Sequence, residues 1–122
     1  MRGLTDLLGM IPALRRLDEA VRAGADRQLV YGLGPNHHAL VCAALSKDRE
    51  SLLVVVPGEK EALTVVEDLG QLLPGRGVFL FSPWEFIPFK VLAYSKHVTA
   101  NRLRVLEALA GGDRGAVIVV PV

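Results

Sequence analysis

Residues 28–45 read QLVYGLGPNHHALVCAAL, and this run limits the fold more than any other part of the chain. A short β-prone segment leads into a glycine turn, and an apolar stretch of helical length follows. This is the strand, glycine loop and helix layout with which α/β proteins cradle phosphate at a helix N-terminus. A working phosphate loop of the pattern G-x-x-x-x-G-K-[ST] needs a second glycine for close backbone approach. It also needs a lysine for phosphate charge and a hydroxyl for magnesium. Laid over residues 32–39, the pattern keeps only Gly32 in place: His37 stands for the second glycine, His38 for the lysine and Ala39 for the hydroxyl. Pro35 removes one further backbone donor. Gly32, Gly34, Asn36, His37 and His38 therefore mark a degenerate phosphate loop that is expected to be inactive.

Around this run helices and strands alternate. Residues 4–22 carry Leu4, Leu7, Leu8, Ile11, Leu14, Leu17 and Val21 at three- and four-residue steps, the stripe of an amphipathic helix. Pro12 predicts a kink near Ile11 or a new helix starting at the proline. Residues 28–31 are expected as a strand and 36–46 as a largely buried helix. LLVVV at 52–56 is expected as a strand covered on both faces. Glu59 and Glu61 then open a helix carrying Leu63, Val66, Leu69, Leu72 and Leu73, which Pro74 and Gly75 stop. A strand is expected at 78–81 and an irregular aromatic loop at 82–96. A helix at about 97–110, capped by Ser95, should turn Leu103, Leu106 and Leu109 inward, and a buried strand should follow at 116–120. The alternation predicts an α/β fold with a mainly parallel sheet and helices on both faces.

The chain of 122 residues, 51% hydrophobic and 22% charged, fits one domain with a real core. Fourteen basic against thirteen acidic residues leave a formal charge of +1, which gives no electrostatic case for nucleic acid as a direct partner. The lone Cys42 fits a buried structural thiol in a reducing compartment. No apolar run is long enough to span a membrane and no secretory signal is evident, so a cytoplasmic location is expected. The sequence stops at Val122 directly after a core strand, so a piece of a longer protein is expected.

Other constellations are weaker. His37 and His38 are adjacent and would point about 100° apart on a helix. With no cysteine or carboxylate at ligand spacing they are read as solvent-facing or capping groups, and no metal is expected. Anion binding at that helix N-terminus stays open. Trp84, Glu85 and Phe86, in the aromatic loop, are candidates for packing against a neighbouring domain. Arg102 and Arg104, with Lys96 and His97, form the locally basic patch and are candidates for polar contacts. No Ser/His/Asp set, carboxylate pair or C-x-x-C motif is present.

Taken together, YGLGPNHHAL, LLVVVP with its following helix, FLFSPWEFIPF, ANRLRVLEAL and GAVIVVPV resemble the N-terminal end of bacterial transcription-repair coupling factors, the Mfd family. The most specific part is the succession at 79–109, with W-E-x-x-P-[FY] and R-L-x-x-L-x-x-L. The resemblance implies a UvrB-like module, here a partial RecA-like half domain of helicase ancestry. In that family the whole protein displaces RNA polymerase stalled at a lesion, using a distant ATP-driven motor on DNA, and recruits UvrA for nucleotide excision repair. Two features of UvrB do not carry over. The phosphate loop is replaced at His37, His38 and Ala39, and the stretch 84–96 is too short for the aromatic hairpin that clamps damaged DNA. The resemblance therefore implies a non-catalytic scaffold and docking domain, without ATP or magnesium of its own. Its expected partners are the other domains of the same protein and UvrA through the adjoining part of the module, with RNA polymerase and DNA reached through the full-length protein. The alternatives left open are a helicase half domain that still binds nucleotide, and a stand-alone α/β binding protein.

Overall fold

Pro12 opens a helix at the position where its missing N–H costs nothing, so of the two outcomes expected at this proline the new helix is the one found. The computed structural model describes residue 6 and residues 9–47, 51–83, 96–112 and 114–122. In chain order the elements are α1 (Pro12–Arg22), α2 (His37–Ser46), β1 (Leu52–Val56), α3 (Glu59–Leu72), β2 (Val78–Leu80), α4 (Lys96–Ala110) and β3 (Val117–Pro121). Gly24, at φ 83°, lies just beyond the end of α1, where only glycine turns left-handed without strain.

The three strands form one parallel sheet in the order β1-β3-β2. Leu52 to Val56 pair in register with Val117 to Pro121, and Val78 to Leu80 with Val117 to Val119. β3 is the central strand, and its near-complete burial follows from that place. On one face Leu52, Val54, Val56, Val117, Val119, Val78 and Leu80 pack against Ala39 and Ala43 of α2 and Ala62, Val65 and Leu69 of α3. Burial of these side chains is the main favourable term in holding the layers together. On the other face α4 packs against β2, with Val105 only 2% exposed, and Ile118 is buried there. Helices therefore lie on both faces, and the molecule is an α/β fold consistent with a partial RecA-like domain.

Arg76 ties the end of the molecule nearest the strand N-termini together. Its guanidinium donates from Nε to the Gly115 carbonyl at 2.8 Å and from a terminal nitrogen to the Ser46 carbonyl. The end of α2, the turn after α3 and the entry to β3 are thus held by one charged group, in hydrogen bonds stronger than neutral ones.

Several expectations need correction. Residues 28–31 form no strand and lie outside the sheet. β1 is covered on one face only: Leu53 and Val55 are 64% and 60% exposed. In register, Leu53, Ile118 and Phe79 form one row across the sheet. Along that row Phe79 is half-buried and Ile118 buried, whereas Leu53 at the β1 end is bare. In α3 the inward positions are Ala62, Val65 and Leu69, while Leu63 is exposed. In α4, Leu103, Leu106 and Leu109 are exposed and Val105 faces inward, because a leucine stripe at three-residue spacing runs along the flank of the helix rather than its contact face. α2 buries Ala39, Ala43 and Ser46, with the residues between them half-buried, so its cover is thinner than its composition suggests. Ser95, expected as a cap, lies outside the described residues.

Candidate functional site

The glycine loop is the place where the sequence points to chemistry, and its geometry explains what it has become. Gly32 has φ 79°, the left-handed conformation that turns the chain toward α2, with open space where a Cβ would stand. Two residues on, Gly34 and His37 hold each other. The His37 backbone N–H donates to the Gly34 carbonyl at 3.0 Å, and the Gly34 N–H donates to Nδ1 of the His37 ring, also at 3.0 Å. Accepting at Nδ1 requires the neutral tautomer with its proton on Nε2. A methyl group on Gly34 would stand 3.3 Å from that Nδ1, a tight contact that a shift of the ring by a few tenths of an ångström would relieve.

This closure has a chemical consequence. A phosphate cradle depends on backbone N–H groups aimed together at one anion. Here the amides of Gly34 and His37 are spent within the loop and Pro35 has none. Asn36 stands at the N-cap of α2 without a side-chain capping bond, and His37 and His38 are exposed. No lysine ammonium or hydroxyl occupies the places that would neutralise phosphate charge and hold magnesium.

Behind the loop, α1, residues 28–33 and α2 enclose an open apolar groove of about 580 Å³, lined by Leu14, Leu17, Val30, Tyr31, Leu40 and Val41 among others. Cys42, on α2, is half-buried and makes no disulfide; burial pushes its thiol pKa up, with a backbone hydrogen bond pulling the other way. That shift opposes thiolate chemistry at this position.

Of the surface candidates, Trp84, Glu85 and Phe86 lie outside the described residues. Arg102 is engaged within the fold: it donates to the Ser82 carbonyl at 2.7 Å, and its guanidinium lies 4.1 Å from the centroid of the Phe81 ring. This side chain pins α4 to the segment leaving β2, through a charge-assisted hydrogen bond and a cation–π contact. Arg104 is exposed. The structure therefore divides the basic patch and leaves the phosphate loop and Arg102 at separate places. Arg76, which bridges three segments, was not among the residues singled out by sequence. An arginine beside two glycines carries no signal of the carbonyls it will meet. Among the described residues no three His, Cys, Asp or Glu side chains gather as a metal site, and no helix is long and apolar enough to cross a membrane.

No protein-family model matches the chain. Over 100 residues, 81% of its length, the chain is 28% identical to the transcription-repair-coupling factor of Bacillus subtilis strain 168, and it spans 8% of that protein. The likeness is partial, and it relates this chain to a segment of a transcription-repair coupling factor.

Proposed function

We propose that this chain is a non-catalytic scaffold and docking domain of a transcription-repair coupling factor. In this reading it supports UvrA recruitment by the adjoining part of a UvrB-like module and packs against other domains of the same polypeptide. Trp84, Glu85 and Phe86 make domain contacts, with Arg104 available for polar ones. ATP and magnesium belong to motor domains elsewhere in the full-length protein, as do contacts with RNA polymerase and DNA. The observation that carries the reading is the 100-residue likeness to the Bacillus subtilis factor. The closed glycine loop supports its non-catalytic part, since the Gly34 amide that would face a phosphate is already bonded to His37.

Calorimetric titration with Mg-ATP tests the non-catalytic part, and the expected result is no saturable heat. Micromolar binding that disappears in His38→Ala would overturn it in favour of a nucleotide-binding helicase half domain. Docking is tested by capture of UvrA on the intact protein; failure to capture it would remove the recruitment role.

A further inference from the structure

We draw no further inference here: the strongest candidate, the open groove between α2 and α3 lined by Asn36, Leu40, Thr64, Asp68, Gln71 and Leu72, carries nothing, because nothing in the structure shows what covers it.

Discussion

His37 determines what the glycine loop can do, because its ring accepts the Gly34 amide while its own amide closes the turn on the Gly34 carbonyl. Replacing it with alanine removes a hydrogen bond near the surface, so thermal unfolding should report a loss of about 0.5–1.5 kcal/mol. Nucleotide binding should not appear in His37→Ala, because Lys and Ser or Thr remain absent at positions 38 and 39. Loss of the lysine and hydroxyl is legible in the sequence, since the motif fails position by position. Occupation of the loop by the His37 ring is not legible, because it depends on a rotamer and on a bond to the amide of Gly34. Cys42 offers a second test at this scale. Burial raises its pKa in the folded chain, so the native thiol keeps its proton where the unfolded one has lost it. The associated stability is complete below the ordinary thiol range, and it falls as pH rises from about 8.5 through the raised value. A series of melting temperatures across that window should decline more steeply for the native chain than for Cys42→Ala.

Among the elements, the helix faces are where a substitution separates pattern from packing. Val105 is the buried residue of α4, whereas Leu106 beside it is exposed. Val105→Ala should cost about 1–3 kcal/mol and Leu106→Ala no more than about 0.5, read by denaturant midpoints at constant slope. The opposite order would restore the leucine-inward helix that spacing alone suggests. The strands were readable because Leu52 to Val56 and Val117 to Val120 are unbroken apolar runs bounded by proline or glycine. The contact face of α4 was not, because Leu103, Leu106 and Leu109 form a stripe as regular as the true one, and only the place of β2 decides between them. Residues 28–31 illustrate the same limit: strand propensity is local, whereas pairing needs a partner that local sequence does not contain. Arg76 joins three elements, and Arg76→Ala should cost about 2–3 kcal/mol, since two carbonyls lose a charged donor. Lysine at this site should recover only part of that, because it cannot present the planar fork of donors.

At the scale of the whole molecule, the sheet has one finished face and one unfinished face. α2 and α3 seal the first. On the second, α4 packs against β2, and Leu53 and Val55 stand more than half exposed on a strand that is also the sheet edge. Parallel sheets are ordinarily covered on both sides, and an apolar patch with an open edge favours association. The 122-residue chain by itself should therefore self-associate, with a sedimentation coefficient that rises with concentration. Threonine keeps the β-branched shape that suits a strand while removing apolar surface. The double variant Leu53→Thr, Val55→Thr should flatten that rise and shift stability by no more than about 1 kcal/mol in the isolated chain, since neither side chain is buried there. In the intact protein the same pair should destabilise by more, because the face is then covered and each threonine brings a hydroxyl into an apolar contact. Equal effects in the two settings would show that this face stays bare in the intact protein, and would leave the self-association of the short chain to another surface.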